Sequence, residues 1–131
     1  MKGYYNDIEK ATIANKDFRK VVYTGDYLQL VYMTLKPGEC IGTEVHENDQ
    51  FFRFEKGAGI VRLDDNEYKV TDGFAVVVPA GAKHNVTNTS TVDDLNMYTI
   101  YAAPHHVDGM TYASKEAAVK NDKPYDGKPT E

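Results

Sequence analysis

A glutamate, a histidine and a glutamine stand close together in the chain, and their side chains are of the kinds that bind metal ions or move protons. Glu44 and His46 are two residues apart, so on an extended segment their side chains point to the same side. By the same rule Gln50 shares a side with Phe52 and Phe54 on the segment that follows. A polar cluster against an apolar wall is the usual composition of a small-molecule pocket. The spacing therefore indicates such a pocket here.

A second histidine, His84, lies further along the chain, behind the rigid corner Pro79-Ala80-Gly81. Carboxylate, amide and imidazole donors suit Mn²⁺, Fe²⁺, Ni²⁺ or Zn²⁺. No thiolate accompanies them in these segments, which argues against a soft-metal site. The donor types therefore favour one divalent ion if the side chains meet.

The segments that must position these residues are short, rich in β-formers and closed by turn residues. Their spacing is typical of all-β barrels and sandwiches, and it predicts about nine strands with almost no helix. A helix is predicted only near the end, where Ser114 can cap Lys115 to Lys120, and residues 121–131 are expected to form a loose tail. The predicted strands are Arg19 to Thr24, Tyr27 to Leu35, Ile41 to Val45, Gln50 to Glu55, Ala58 to Leu63, Glu67 to Val70, Phe74 to Val78, Asn85 to Thr87 and Leu95 to Ala102.

Two stretches resemble the paired signature of the cupin superfamily. The first has its glycines at Gly38 and Gly57, with Glu44, His46 and Gln50 between them at the family's spacing. The second is filled completely, by Gly73, Pro79, Gly81, His84 and Asn88. The resemblance implies an all-β, jelly-roll-like barrel, the double-stranded β-helix, to which the residues after Ser114 add the short C-terminal helix. It also implies one divalent metal ion in the mouth of the barrel, held by Glu44, His46, Gln50 and His84.

Two of these ligand positions depart from the usual cupin pattern. Glu44 stands where a histidine is common, and Gln50 stands where a glutamate is common. The departures compensate each other, because the set still offers one negative charge to a dication. Other roles stay open for the same residues. Gln50, next to Asp49, could be a solvated turn residue, Glu44 could stay hydrogen-bonded within the barrel, and the histidines could be structural.

A later stretch, residues 98–109, resembles the closing strand and exit loop of small cupins of the mannose-6-phosphate isomerase-like type. His105 or His106 could fold across the mouth as a proton donor, although adjacent histidines in a loop are usually exposed. With ten tyrosines in the chain, most must serve in packing, and Tyr32, Tyr98 and Tyr101 are only candidates. The residues predicted to be catalytic are Glu44, Tyr98, Tyr101 and His106.

The 131 residues suit one domain, with 41% hydrophobic and 27% charged residues. We expect a barrel with an N-terminal strand extension over residues 1–113, and the short helix with its tail over residues 114–131. An open barrel leaves strand edges that need a partner, and the alternating segment Phe18 to Tyr23 could supply one to a neighbouring subunit. A homodimer is therefore expected.

Composition also limits the classes of partner and the compartment. The net charge of −5 argues against nucleic acid, which requires clustered Lys and Arg. No segment approaches the length of a membrane span, and no secretion signal begins the chain, so a cytoplasmic location is predicted. The single cysteine, Cys40, excludes an internal disulfide.

Three classes of function remain open, because the cupin fold carries many chemistries. The first is an isomerase or lyase acting on a sugar or a small oxygenated acid, with Glu44 or a pocket tyrosine moving a proton. The second is a non-haem Fe²⁺ dioxygenase, because Glu44, His46 and His84 make a set of two histidines and one carboxylate. The third is a metal-binding or small-molecule-binding sensor without turnover.

A phosphosugar ligand would need a Lys or Arg in the pocket. Arg53 alternates with Phe52 and Phe54 and is predicted to face away from it. Alternation does not place Arg62 or Lys83, which remain possible partners of an anion. The phosphosugar hypothesis is weakened, and neutral sugars, uronates and small carboxylic acids stay open.

Overall fold

Nine strands in two antiparallel sheets form the barrel in the computed structural model, which describes residues 1–131. The all-β class and the short C-terminal helix predicted from the sequence are confirmed. The strands are Arg19–Thr24 (β1), Gln29–Leu35 (β2), Asp49–Lys56 (β3), Gly59–Leu63 (β4), Asn66–Val70 (β5), Ala75–Val78 (β6), His84–Asn88 (β7), Leu95–Ala102 (β8) and Thr111–Tyr112 (β9). The helices are Ile8–Ala14 (α1) and Lys115–Asn121 (α2).

The larger sheet has six strands in the order β6-β3-β8-β2-β1-β9, and the smaller has three in the order β5-β4-β7. The segment that joins β2 to β3 pairs with the smaller sheet through two isolated bridges, Cys40 to Thr87 and Glu44 to His84. The strand predicted over Ile41 to Val45 is therefore wrong as a regular element. Gly42, in a positive-φ conformation, interrupts this segment between the bridges.

The inner face of the larger sheet carries the apolar core. On β3, Gln50, Phe52 and Phe54 are buried while Phe51 and Arg53 are partly exposed, which confirms the predicted alternation. Directly opposite residues of an antiparallel sheet share a face, so each cross-strand row continues across the barrel. One such row runs through four strands and ends on a buried charge; its members are Phe54, Met97, Met33 and Arg19.

Both helices are short and capped. Ser114 accepts a hydrogen bond from the Ala117 amide at 3.1 Å, which confirms the predicted cap of α2. Helix α1 was not predicted, although Asp7 caps it by accepting from the Lys10 amide. Its single buried residue, Thr12, gives the sequence too weak an apolar stripe to indicate a helix. Neither helix has the length and apolar character needed to cross a membrane.

Strand β1 pairs on both sides within the same chain, with β2 and with β9. The segment Phe18 to Tyr23 is therefore not a free edge that could be lent to a neighbouring subunit, and that argument for a homodimer is wrong. Strand β9, which hides this edge, is only two residues long, so no alternating pattern announced it.

The C-terminal tail, expected to be loose, is hydrogen-bonded to the barrel. The Thr130 amide donates to the Thr24 carbonyl at 2.9 Å, and the Thr24 amide donates to the Thr130 hydroxyl at 2.8 Å. The Tyr125 amide donates to the carbonyl of His105 at 3.1 Å. The tail therefore helps to hold the loop that follows β8.

Candidate metal centre

Three potential ligands meet at one end of the barrel. One ligand atom from each of Glu44, His46 and His84 lies within 4.8 Å of the other two. The closest pair is Glu44 Oε2 and His46 Nε2, which are 2.7 Å apart. For comparison, two atoms bound to one ion at ~2.1 Å and at right angles are roughly 3 Å apart. The three side chains are thus close enough to share one ion.

Backbone hydrogen bonds hold this arrangement in place. Glu44 and His84 exchange both of their backbone bonds, each at 2.9 Å, which makes them directly opposite neighbours. The Gly81 amide donates to the carbonyl of His46 at 2.8 Å, so the Pro79-Ala80-Gly81 corner holds the backbone of His46 in place. The loop between β2 and β3 therefore delivers two donors to a third that β7 supplies.

The orientation of His84 suits a metal ligand. Its Nδ1 donates to the carbonyl of Ala82 at 3.0 Å, an arrangement that leaves Nε2 without a proton and with a free lone pair. The residue is buried, with 4% of its surface exposed. Such a second hydrogen bond on the other ring nitrogen is the usual support of a metal-binding histidine.

Gln50 has the features of a fourth ligand, which would bind through its amide oxygen. Its Nε2 donates to the Thr99 hydroxyl at 2.9 Å, which fixes the direction of the amide. Its Oε1 is buried and has no hydrogen-bond partner. A buried carbonyl oxygen without a partner is costly, so a bound cation would satisfy it. The proposal that Gln50 is a solvated turn residue is wrong, because the residue is only 3% exposed.

The charge of the set favours a cation. Burial by itself would raise the pKa of Glu44, but the hydrogen bond with His46 and the nearby positive charge of Arg19 bring the pKa below its ordinary value. The carboxylate is therefore ionised at neutral pH. One carboxylate, two imidazoles and one amide oxygen fit a divalent ion of the Mn²⁺, Fe²⁺, Ni²⁺ or Zn²⁺ group.

Aromatic rings surround His46. The ring centroid of His105 is 4.4 Å away, that of His84 is 5.2 Å away, and the Tyr101 ring stands edge-on at 5.7 Å. The Tyr101 ring also stacks on His105 at 5.0 Å. Of the two loop histidines, His105 thus lies against the triad itself.

Gln29, which was not identified from the sequence, holds the loop of these histidines over the barrel. Its side-chain oxygen accepts from the amides of His105 at 3.0 Å and His106 at 2.8 Å, and its Nε2 donates to the His106 carbonyl at 2.8 Å. Gln29 is fully buried and stands opposite Tyr101 in the sheet. The loop is therefore fixed, and His106 is buried rather than exposed.

A chain of polar side chains runs from Tyr101 to the C-terminal helix. His106 Nε2 lies 3.2 Å from the Tyr101 hydroxyl, and His106 Nδ1 lies 3.2 Å from Asp122 Oδ1. The other oxygen of Asp122 lies 3.6 Å from Arg19 Nη1. Neither Asp122 nor Arg19 was a predicted site residue, because each comes from a segment far from the two sequence motifs.

The other sequence candidates lie elsewhere. Tyr98 stands opposite Tyr32 and Arg53 in the sheet. It lies three residues before Tyr101 on β8, so its side chain points to the opposite face, where its ring centroid is 6.2 Å from that of Phe51. The structure therefore does not bring Tyr98 to the triad, and Arg53 faces away from the pocket as predicted. The Tyr32 hydroxyl is hydrogen-bonded to the hydroxyl of Tyr4.

Arg62 and Lys83 line an outer groove that also contains two carboxylates. The residues of this groove are Thr43, Arg62, Asp64, Asp65, Lys83, His84 and Asn85. Arg62 pairs with Glu67 at 3.5 Å on the exposed surface. Because His84 lines the same groove, both cations lie beside one member of the triad, and Arg62 is already paired.

Comparisons with known proteins agree with this architecture. The family model described as "Cupin domain" matches residues 31–101. The uncharacterized protein YrkC of Bacillus subtilis is 42% identical over 90% of this chain and 67% of its own length. The uncharacterized protein L612 of Acanthamoeba polyphaga mimivirus is 39% identical over 81% of this chain and 69% of its own. The crystal structure of BH2720 from Bacillus halodurans superposes with a TM-score of 0.88 at 36% identity, covering 92% of this chain and 96% of that one.

Proposed function

Because this chain belongs to the cupin family, we propose that it is a metal-dependent enzyme of the isomerase or lyase type that acts on a small oxygenated molecule. In this proposal Glu44, His46 and His84 hold one divalent ion, with Gln50 as a fourth ligand. The observation that carries it is the meeting of three ligand atoms within 4.8 Å at the end of the barrel.

The ion would supply Lewis acidity to an oxygen of the bound molecule and so make a neighbouring C–H more acidic. Glu44 is ionised and is the acidic residue of the set, so it is the candidate to accept that proton. Burial raises the pKa of Tyr101 well above its usual range, so this hydroxyl stays protonated and suits a donor. His106 Nε2 lies 3.2 Å from this hydroxyl and would accept its proton whenever the proton is not directed at the ligand, so the two side chains would hold one proton between them.

A second function, non-haem Fe²⁺ dioxygenase, is favoured by one specific observation. The three residues that meet are two histidines and one carboxylate, which is the set associated with that chemistry. The two functions call for different ions: Fe²⁺ for the oxygenase, and Mn²⁺, Ni²⁺ or Zn²⁺ for proton transfer.

Elemental analysis of protein purified without a metal-affinity tag tests both. About one equivalent of Mn, Ni or Zn supports proton transfer, and one of Fe supports the oxygenase. The protein would then be assayed, with and without O₂, against aldoses, ketoses, uronates and small hydroxy or keto acids. Micromolar binding of one compound with no turnover of any would instead favour a sensor. A protein that binds none of these ions, even after reconstitution, would overturn the metal site itself.

A further inference from the structure

Arg19 is a buried cation that the proposed metal site does not use. It is 6% exposed and belongs to the inward row of the larger sheet, where it stands directly opposite Met33 and Tyr112. An arginine in such an apolar setting is rare unless its charge is paired and its donors are bonded. Arg19 therefore needs a paired charge and hydrogen-bond acceptors around its guanidinium.

The guanidinium of Arg19 is only partly satisfied: it lies over the Phe18 ring at 5.4 Å, and its one ion pair is long. Its nearest carboxylate oxygen, on Asp122, is 3.6 Å from Nη1, beyond hydrogen-bond distance, and that carboxylate is also shared with His106. Nε of Arg19 is buried and has no hydrogen-bond partner. A guanidinium has five N–H donors in a fixed fork, so the free Nε–H and the long contact to Asp122 leave Arg19 able to bind a further acceptor.

The position of this cation connects it with the triad. Arg19 Nη1 lies 3.6 Å from Asp122, whose other oxygen lies 3.2 Å from His106. His106 lies 3.2 Å from the Tyr101 hydroxyl, and the Tyr101 ring stands edge-on to that of His46 at 5.7 Å. The guanidinium therefore lies among the groups that surround the triad rather than on the opposite side of the barrel. Of the arginines and lysines weighed from the sequence, Arg53 faces outward, and Arg62 and Lys83 line the outer groove.

We propose that Arg19 binds the carboxylate of a small acidic ligand whose hydroxyl or keto oxygen reaches the site formed by Glu44, His46 and His84. The fork of a guanidinium matches the two oxygens of a carboxylate, and it would supply the hydrogen bonds that Arg19 lacks. The contact of the ligand with the metal rests on the proposed function. A ligand bound in this way would be a small hydroxy or keto acid rather than a neutral sugar. Arg19 is then a binding residue, and the negative charge of the ligand compensates its own.

The probes that test this are glycolate and ethylene glycol, which differ in a carboxylate against a second hydroxyl. Isothermal titration of each into metal-free and Mn²⁺-loaded protein gives the preference directly. We expect wild type to bind glycolate at least about tenfold more tightly than ethylene glycol, the usual effect of hydrogen bonds to a charged group. Arg19→Met should lose that preference, and Arg19→Lys should retain part of it, because it keeps the charge but not the fork.

The outward-facing Arg53→Met is the matched control and should bind glycolate as wild type does. Equal affinity of wild type for the two probes, or no binding of either at tens of millimolar, would overturn the inference without any variant, so it does not depend on the folding of Arg19→Met. Arg19-dependent binding of inorganic phosphate but not of glycolate would overturn the choice of a carboxylate. A Mn²⁺-binding protein without acid preference contradicts this inference alone. Arg19-dependent glycolate binding by a protein that takes up no metal contradicts the proposed function alone.

Discussion

The carboxylate of Glu44 and the imidazole of His46 lie 2.7 Å apart, with the ring of His84 a further 5.2 Å from that of His46. In the chain the first pair is separated by one residue, whereas His84 is almost forty residues away. The loop between β2 and β3 carries the first two residues, and β7 carries the third. Both elements would therefore have to be in place for the three side chains to share one ion.

Removal of metal should lower the stability of wild type. A ligand that binds only the folded state stabilises it by about 2.7 kcal/mol at one hundred times its dissociation constant. Thermal unfolding with and without a chelator should therefore show a drop in Tm for wild type and no drop for His46→Ala or His84→Ala. Tyr98→Phe, which lies away from the triad, should keep the sensitivity. Identical melting of all proteins in both conditions would contradict the metal site.

Substitutions of Glu44 should separate metal binding from proton transfer. Glu44→Gln keeps an oxygen donor but removes the base, and Glu44→His restores the ligand common in cupins. We expect both variants to retain metal, measured by elemental analysis, and to lose roughly 10² to 10⁴ in rate on the substrate found. Full activity of Glu44→Gln would remove Glu44 as the base and direct attention to Tyr101 and His106.

The pH dependence of stability should carry a contribution from His106. Burial lowers the pKa of this residue, while Asp122 raises it and Arg19 lowers it. The other polar groups that face it are the hydroxyl of Tyr101 and the ring of His105. An unfolded histidine titrates near ~6.5, so as the pH falls below that value the unfolded chain takes up this proton first. The stabilisation is complete above that pH and is lost as the pH falls towards the lower folded pKa.

Urea unfolding midpoints between about pH 7 and pH 5 measure this effect. Wild type should lose more stability over that interval than His106→Gln, which keeps a polar side chain without a titrating ring. Asp122→Asn removes the charge that raises the pKa of His106, so it should increase the loss. Parallel curves for wild type and His106→Gln would show that His106 does not titrate differently in the folded state.

A homodimer remains a prediction, now placed on a different surface. Strands β5 and β6 are the end strands of their sheets, and the groove between them exposes Tyr68, Phe74 and Val77. Unpaired edges with apolar side chains are the features that a second subunit would cover. Light scattering should give twice the 14.7 kDa of one chain, and Val77→Lys should shift it towards the monomer. A wild-type mass near 14.7 kDa at micromolar concentration would contradict the dimer.

Much of the barrel was predictable because alternation is a local property. The inward side of β3 followed from Gln50, Phe52 and Phe54 alone, and β1 and β8 have their predicted bounds. The segment from Ile41 to Val45 looks like a strand but is held only by bridges, because its partners were not visible from its own composition. The triad was predictable because its spacing resembled a known pair of motifs.

The groups around the triad were not predictable in this way. Arg19 begins a segment that reads as an ordinary strand, and its burial depends on Met33 and Tyr112, which come from distant segments. Asp122 reaches His106 only because α2 packs near the loop after β8. No short-range pattern in the sequence encodes either contact.

Arg19 and Asp122 both lie outside residues 31–101, the segment that defines membership of the family. The proposed metal ligands lie inside it. If Arg19 binds the ligand as proposed, two proteins that share every residue of the common segment would still prefer different molecules, because the elements that flank the segment supply the charge next to the site. The residues that identify the family would then lie in the middle of the chain, and those that select the ligand would lie towards its ends.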